Sequence, residues 1–208
     1  MTETIKITLP ENVSEITLEQ YVEFAKLQNR KDSLDDLAYT KRFISIFTGL
    51  RFKELRHVTL DGFNTTTQEI IKALDTPVPF ENRFTLNGVE YGFHPNLDEM
   101  TTGEYVDLSA CGTDHELLHR VMAILFRPIV STDSFGNYEI AQYNGTKDTE
   151  EIMKQAPMNI VNGMLVFFWS LSKELRKTFK ESTEEVGVQR MGHLNTLRSG
   201  DGTQQLIW

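Results

Sequence analysis

Arg83-Phe84-Thr85-Leu86-Asn87-Gly88-Val89-Glu90-Tyr91-Gly92-Phe93 is the stretch that decides the fold, because two β-prone runs flank an Asn-Gly pair. Asn and Gly both tolerate the positive φ that a type I′ turn requires. A two-residue turn of this kind joins two antiparallel strands directly. The sequence therefore predicts a β-hairpin over residues 83–93, and the run Tyr138–Tyr143 predicts a further strand.

The residues before the hairpin predict mainly helices. Apolar residues recur at three- and four-residue spacing over Leu18–Ala25, with Thr17 as the cap. A second helix is predicted between Ser33 and Gly49, and a third, shorter one over Thr66–Leu74, closed by two prolines. At the N-terminus, apolar residues alternate with polar ones over Ile5–Leu9 and predict a short strand.

The residues after the hairpin add the helices that we expect to form the core. Thr101 and Glu104 have the spacing of a capping box and open a short helix. A long helix is predicted from about residue 114 to 126 and another over residues 157–180, with a shorter one from Asp148 to about Lys154. The predicted fold class is α+β: a mainly helical single domain with one β-hairpin and one or two further short strands.

Composition limits the classes of partner. The chain has 208 residues, a formal net charge of −9 and an isoelectric point of about 5.1, so nucleic acid is not an expected partner. Its most apolar stretch, residues 158–171, is shorter than the roughly 20 residues that a bilayer span needs, so no membrane association is expected. A single cysteine, Cys111, fits synthesis in a reducing cytoplasm.

One enzyme motif is present, His115-Glu116-Leu117-Leu118-His119, which has the HExxH form of zinc metallopeptidases. Two histidines four residues apart share a helix face and can bind zinc, while the glutamate acts as general base on the bound water. Glu139, twenty residues after His119, is the candidate third ligand. Zinc hydrolysis with this set is one hypothesis for the function.

Three features of the sequence argue against zinc hydrolysis. Thr113-Asp114-His115-Glu116 has the capping-box form, which places His115 in a first helical turn and gives Glu116 a structural role. Arg120 follows the second histidine directly, where a buried motif helix usually has an uncharged residue. Glu139 lies in a β-like run rather than on a helix. The prediction is therefore a protein that is not an enzyme and that needs neither a metal nor a cofactor.

The end of the chain differs from the rest in composition. Helical periodicity stops near Glu184, and four glycines punctuate a polar stretch that ends in Leu206-Ile207-Trp208. We therefore divide the chain into a globular domain, residues 1–183, and an extended C-terminal arm, residues 184–208. Trp often dominates the binding energy of interfaces, so these last three residues are the predicted partner-binding anchor, docked on a neighbouring subunit. The alternative is that the arm packs on its own domain.

Several of these motifs occur together in one family. The opening Ile5–Pro10, the hairpin continued as Tyr91-Gly92-Phe93-His94-Pro95-Asn96-Leu97, and Gly103-Glu104-Tyr105 are followed by Phe126-Arg127-Pro128-Ile129 and Tyr143-Asn144-Gly145-Thr146. This order resembles uncharacterised virion and tail-assembly proteins of tailed bacteriophages, particularly crAss-like and related phages of Bacteroidota. The resemblance covers roughly residues 5–180 and leaves the arm outside.

The resemblance implies a structural part in the phage particle. One role is a component kept in the virion, at the neck, the tail or the capsid interior, that binds other virion proteins and copies of itself. The other is a tail-assembly chaperone that coats the tape-measure protein and then leaves. In either case the protein is made in the cytoplasm of the bacterial host, and the first role places it in the virion.

Overall fold

This computed structural model describes residues 8–75, 79–112 and 114–168. These residues form eight α-helices and one four-stranded antiparallel sheet, joined by 3₁₀ turns and loops. The fold is mixed α+β and mainly helical, as predicted. The chain divides into two units, Met1–Met164 and Leu165–Trp208. The helices are α1 (Leu18–Gln28), α2 (Asp36–Thr48), α3 (Phe52–Leu55), α4 (Leu60–Leu74), α5 (Thr102–Cys111), α6 (Leu118–Leu125), α7 (Glu150–Met153) and α8 (residues 158–168).

The first two predicted helices are confirmed, although α1 continues beyond Ala25 to Gln28 and α2 begins only at Asp36. Thr17 accepts a hydrogen bond from the backbone of Gln20, whose side chain bonds back to Thr17, and this reciprocal capping box starts α1. The carboxylate of Asp35 caps α2, and Gly49, with a φ of 71°, ends it in the left-handed region. Main-chain hydrogen bonds from Leu18 to Ala156 and from Met158 to Ile16 tie the start of α1 to the start of α8.

The predicted hairpin is confirmed. Strands β1 (Arg83–Leu86) and β2 (Val89–Phe93) pair in antiparallel register through a two-residue turn, in which Asn87 has a φ of 51° and Gly88 a φ of 79°. Both values lie in the left-handed region that a type I′ turn demands. Strand β3 (Phe126–Thr132) pairs with β2, and β4 (Tyr138–Ile140) pairs with β3, which gives the sheet the order β1-β2-β3-β4.

The predicted long helix from about residue 114 to 126 begins later than predicted and ends one residue earlier, at Leu125. A 3₁₀ turn, His115–Leu117, precedes α6, and Phe126 is already the first residue of β3. Pro128 disfavours helical conformation at Arg127, and Phe126 pairs with Phe93 across the sheet. The strand β3 escaped sequence analysis because a proline inside a run argues against a strand in the middle of a sheet.

Two other helix boundaries also differ from prediction. The third predicted helix is α4, which begins at Leu60 rather than Thr66 and is capped by Thr59. Burial of Phe63 outweighs the low helix propensity of the glycine and asparagine beside it. The short helix predicted from Asp148 is α7, which Thr149 precedes at the N-cap position. The capping box of Thr101 and Glu104, which opens α5, is confirmed.

Parts of the remaining predictions lie outside the described residues. Residues 158–168 are helical, and the rest of the predicted helix to residue 180 is outside. The same holds for most of the predicted N-terminal strand, for the domain boundary at 183/184 and for the arm. Residues 114–126 and 158–164 contribute fully buried side chains to the core, as predicted, among them Met122, Leu125, Met158 and Met164. Among the described residues, no helix has the length and apolarity to cross a membrane.

Substitution of Gly92 by alanine should destabilise the sheet. A Cβ atom at this position of β2 would lie 2.4 Å from the Tyr138 ring, which is held by a hydrogen bond from its hydroxyl to the Phe93 carbonyl at 2.7 Å. We expect Gly92→Ala to lower the free energy of unfolding by about 1–3 kcal/mol. Gly103→Ala is the matched control, since its Cβ meets nothing closer than 3.9 Å, and we expect it to stabilise α5 by roughly 0.5–1 kcal/mol. Chemical denaturation of both variants measures this, and equal effects would contradict the packing argument.

Candidate functional site

The HExxH segment lies across two kinds of helix. His115 and Glu116 belong to the 3₁₀ turn, whereas His119 is the second residue of α6. The change from 3₁₀ to α geometry means that the two histidines are not at the i and i+4 positions of one continuous α-helix. Burial lowers the pKa of His119, so its imidazole is neutral at physiological pH.

The described structure places Asp114 at the N-cap of the 3₁₀ turn that contains Glu116. The carboxylate of Asp114 takes that role and accepts a hydrogen bond from the backbone N–H of Glu116 at 2.8 Å. The side chain of Glu116 is exposed, and its carboxylate lies 3.5 Å from the Lys26 ammonium on α1. Thr113, the predicted capping residue, is outside the described residues. Glu116 thus contributes a surface ion pair, a contact worth about 1 kcal/mol or less.

The candidate third ligand is held in another place. Glu139 lies on β4 and accepts a hydrogen bond from the hydroxyl of Ser131 at 2.9 Å. Within residues 8–75, 79–112 and 114–168, no three His, Cys, Asp or Glu side chains are grouped so that they could hold a metal ion. The described structure therefore does not bring His115, His119 and Glu139 together as a metal site.

A polar cleft with a cavity volume of about 490 Å³ lies between α5, α6 and the segment before α7. Arg120 reaches across it to Glu150, with its Nε 3.1 Å from the carboxylate, and Thr146 donates a hydrogen bond to the same oxygen at 2.6 Å. Cys111 is buried at the wall, and burial raises the pKa of its thiol. The thiol is therefore protonated at neutral pH and is not an activated nucleophile.

The most buried charged side chains of the described chain meet between α5 and β3. Glu104 on α5 is only 1% exposed, and its Oε1 lies 2.6 Å from the Arg127 guanidinium on β3. Its other oxygen accepts a hydrogen bond from the backbone N–H of Thr101 at 2.6 Å. His94, at the end of β2, places Nε2 3.6 Å from the same Oε1. We call Glu104, Arg127, Thr101 and His94 the Glu104 cluster. The cluster joins the hairpin, α5 and β3.

The protonation of the Glu104 cluster follows from burial and from the pairing. Burial acts to raise the pKa of Glu104, but the hydrogen bonds from Thr101 and the charge of Arg127 outweigh it and hold the pKa below its ordinary value of 4.5. Burial lowers the pKa of His94, which is therefore neutral. The cluster holds a permanent carboxylate–guanidinium pair and contains no proton donor or acceptor poised near neutral pH.

Tyr143 extends the cluster toward the surface. Its hydroxyl donates a hydrogen bond to the carboxylate of Asp107 at 2.5 Å, and the Arg127 guanidinium lies 5.7 Å from its ring centre. Burial, together with this hydrogen bond, raises the pKa of the phenol far above its ordinary range. Tyr143 is thus a neutral positioning group. Sequence analysis missed this cluster, because nothing in the local pattern around Glu104 indicates a partner on a distant strand.

The turn between β3 and β4 presents an aromatic side chain to solvent. Phe135 is 90% exposed, more than any other large apolar residue in the described chain. The carboxylate of Asp133 accepts hydrogen bonds from the backbone N–H groups of Phe135 and Asn137, each at 2.8 Å, and from the Asn137 side chain at 2.8 Å. Arg83 donates a further hydrogen bond to the carbonyl of Gly136. We call residues 133–137 the Phe135 turn; its only sequence signal is the Asp, Gly and Asn around Phe135.

An apolar groove with a volume of about 420 Å³ lies between α1, α2 and α4. Aromatic side chains form two of its walls: the rings of Phe24 and Phe43 meet edge to face with centroids 5.4 Å apart, and Tyr39 lies one turn before Phe43. Ile71, which is 53% exposed, is part of the third wall. Asp75, at the C-terminal end of α4, is the one charged residue among the described residues that line the groove. We call this feature the α1/α2/α4 groove.

The predicted partner-binding residues Leu206, Ile207 and Trp208 lie outside the described residues. Comparisons of the chain with protein families, with curated proteins and with solved structures found no match. The site therefore has to be interpreted from its own residues. Those residues offer two apolar features at the surface, the Phe135 turn and the α1/α2/α4 groove, and one buried ion pair in the Glu104 cluster.

Removal of the Glu104 charge should cost much of the stability of the domain. Glu104→Gln keeps the shape of the side chain but leaves the Arg127 guanidinium buried without its counter-ion, which is worth about 3–5 kcal/mol. Glu151→Gln is the control, because Glu151 pairs with Lys154 at 2.7 Å on the exposed surface, where we expect a loss of about 1 kcal/mol or less. Urea denaturation at neutral pH measures both.

The pH dependence of the free energy of unfolding, measured for the wild type and for Glu104→Gln, tests the charge itself. Because the folded-state pKa of Glu104 is lowered, its stabilising contribution is present above the ordinary value of 4.5 and is lost as the pH falls below it. The difference between the wild type and Glu104→Gln should therefore shrink in acid. A difference that stays constant would contradict the ion-pair explanation.

Zinc binding should be weak and independent of Glu116. Since the described donors form no three-residue metal group, we expect metal analysis of the purified chain to give clearly less than one zinc per chain. Glu116→Gln removes the ion pair with Lys26 and should lower the free energy of unfolding by about 1 kcal/mol or less. Stoichiometric zinc, with a peptidase activity that Glu116→Gln abolishes, would instead establish the metallopeptidase hypothesis.

Proposed function

We propose that this chain is a non-enzymatic structural or assembly component of a tailed-bacteriophage particle, associated with the neck, the tail or the capsid interior. It acts by binding other proteins of the particle, copies of itself among them. It is made in the cytoplasm of the bacterial host and is kept in the virion. The context of a particle comes from the resemblance to virion and tail-assembly proteins, and the binding role from the surface of the domain.

The observation that carries the binding role is the Phe135 turn. An exposed phenylalanine forgoes roughly 1.5–3 kcal/mol of burial energy, which a partner recovers when it covers the ring. Four hydrogen bonds hold the turn: the Asp133 carboxylate accepts three, and Arg83 donates one to the Gly136 carbonyl. Because the turn is already ordered, little conformational entropy is lost on binding. A rigid aromatic anchor of this kind is typical of protein interfaces.

Charge supports a protein partner over nucleic acid. With 30 acidic and 21 basic residues, the chain repels a phosphate backbone at long range. Arg83, which bonds to the Phe135 turn, is engaged within the chain: it stacks over the Tyr138 ring, with its guanidinium carbon 4.4 Å from the ring centre, and pairs with Glu90. An apolar anchor on an acidic chain favours a protein surface with a complementary pocket.

Loss of the last six residues should prevent incorporation into the particle. The anchor proposed from the sequence is Leu206, Ile207 and Trp208, so a chain without residues 203–208 should fold with unchanged thermal stability but fail to join the particle. Incorporation is measured by quantitative immunoblotting of purified particles against the full-length chain. A truncated chain that is less stable, yet still incorporated in its folded fraction, would contradict the anchor.

The same preparation separates the two assembly roles. A retained component is present in finished, purified particles at a fixed number of copies. A chaperone of the tape-measure protein is abundant in infected-cell lysates and absent from finished particles. Presence in both the lysate and the particle supports the proposed function, and absence from the particle would replace it with the chaperone role.

A further inference from the structure

A cleft with a volume of about 370 Å³ lies between α1, α2 and α3. Three of its lining residues are apolar: the buried Leu27 of α1, the half-buried Ile46 of α2 and Phe52 of α3, whose side chain is 51% exposed. The other described residues that line it are polar or charged, namely Glu23, Lys26, Arg30, Arg42 and Ser45. We call this feature the α1/α2/α3 cleft.

Two of the charges in the cleft are neutralised within the chain and two are not. The Lys26 ammonium lies 3.1 Å from the Glu23 carboxylate and 3.5 Å from that of Glu116. Among the described residues, the exposed side chains of Arg30 and Arg42 make neither an ion pair nor a hydrogen bond. The cleft therefore presents two available guanidinium groups beside an exposed aromatic ring.

Local helix stability does not explain Arg42. It lies in the middle of α2, away from the last turn, where the helix dipole favours a cation. The positions three and four residues away, where an acid could pair with it along the helix, hold Ala38, Tyr39, Ser45 and Ile46. Arg30, by contrast, follows the end of α1 and complements the dipole of that helix.

The stretch of chain around the cleft is positive, although the whole chain is acidic. Residues 41–57 include five basic residues and one acidic residue, whereas the whole chain has 21 and 30. The one acidic residue, Glu54, is already paired with Arg51 at 2.6 Å. At physiological ionic strength charges are largely screened beyond about 8 Å, so a ligand in the cleft responds to this local positive charge more than to the net charge of the chain.

We propose that the α1/α2/α3 cleft binds an acidic segment of another protein. Two carboxylates of the segment pair with Arg30 and Arg42, and an apolar side chain between them covers the ring of Phe52. Guanidinium–carboxylate pairs are charge-assisted and often bidentate, so two of them fix the direction in which the segment lies. The inference rests on the proposed function only in taking the partner to be another protein of the particle.

A short peptide suits the cleft better than a nucleic acid does. A basic groove with an aromatic ring also occurs in proteins that bind single strands, but there the positive groove follows the backbone over several nucleotides. A strand that leaves this cleft meets a chain with a net charge of −9, which repels further phosphates. An acidic peptide needs only the two arginines and Phe52.

A defined acidic peptide tests the proposal on the full-length chain. The probe is a short fluorescein-labelled peptide of aspartates and glutamates around one phenylalanine, and its matched control has asparagine and glutamine instead. Fluorescence anisotropy should show saturable binding of the acidic probe that weakens as salt is added, and a Kd about tenfold or more higher for the neutral probe. Equal binding of both probes, or no binding of the acidic probe at about 100 μM chain, would overturn the proposal.

Charge reversal in the cleft should weaken binding of the acidic probe. We expect Arg30→Glu and Arg42→Glu each to raise its Kd about tenfold or more, because each variant replaces an attraction by a repulsion. Lys72→Glu is the matched control: it changes the net charge equally at a side chain that is 78% exposed on α4 and does not line the cleft. Its Kd should equal that of the wild type, and an equal effect of all three variants would overturn the assignment of the site.

Phe52→Ser tests the apolar part of the contact. We expect this variant to raise the Kd of the acidic probe about tenfold, the effect of losing an aromatic hot spot. Phe135→Ser is the matched control, since it removes an exposed ring from a different surface and should leave the Kd unchanged. An unchanged Kd for Phe52→Ser would overturn the role of the ring. Circular dichroism checks that each variant is folded, and the two arginine variants test the site independently of Phe52→Ser.

The same assays distinguish the other possible occupants. An oligothymidylate with the charge of the acidic probe that binds more tightly than this probe, and is lost in Arg42→Glu, would overturn the proposal in favour of nucleic acid. Self-association of the full-length chain that Arg42→Glu abolishes would overturn it in favour of a second copy.

The outcomes for the cleft and for the proposed function are also distinguishable. A chain that is present in purified particles but fails the peptide tests contradicts the proposal for the cleft and leaves the assembly role standing. A chain that passes them but is absent from finished particles supports the cleft and contradicts the role as a retained component.

Discussion

The rest of the structure depends on the point at which α6 becomes β3 without a loop. Phe126 is fully buried at this junction and already has extended backbone angles, φ −114° and ψ 117°. The carbonyl of Leu125 accepts a hydrogen bond from His94 at 2.8 Å, and the rings of Phe84 and Phe93 meet Phe126 edge to face at 5.3 and 5.2 Å. The hairpin therefore has one position against α6, set by a dense aromatic cluster.

The Glu104 cluster follows from this junction. Successive side chains of a strand point to opposite faces, so burial of Phe126 directs Arg127 away from the aromatic cluster and toward α5. There Glu104 supplies the counter-charge at 2.6 Å. A buried pair of this kind gains little net energy over apolar packing, but any register of α5 that separates the two charges costs several kcal/mol. The pair thus makes the position of α5 specific.

The rigidity of the domain determines what its surface can do. β3 starts in the core at Phe126 and ends at Thr132, directly before the Phe135 turn, so the exposed ring follows a strand that is paired on both sides. The α1/α2/α4 groove is lined by helices whose ends are capped by Thr17, Asp35 and Thr59. Binding surfaces on such elements need little reorganisation on association.

The sequence by itself determined the features whose interactions lie within a few residues of one another. The type I′ turn at Asn87-Gly88 and the capping boxes of Thr17 and Thr101 could be predicted, because each depends on local backbone geometry and hydrogen bonds. Only the tertiary structure decided that Phe126 and Pro128 start a strand, and that Glu104 meets Arg127. It also decided that Glu139 lies apart from the two motif histidines in the described chain. These outcomes depend on burial between residues distant in sequence, which overrides local preference and leaves no local pattern to detect.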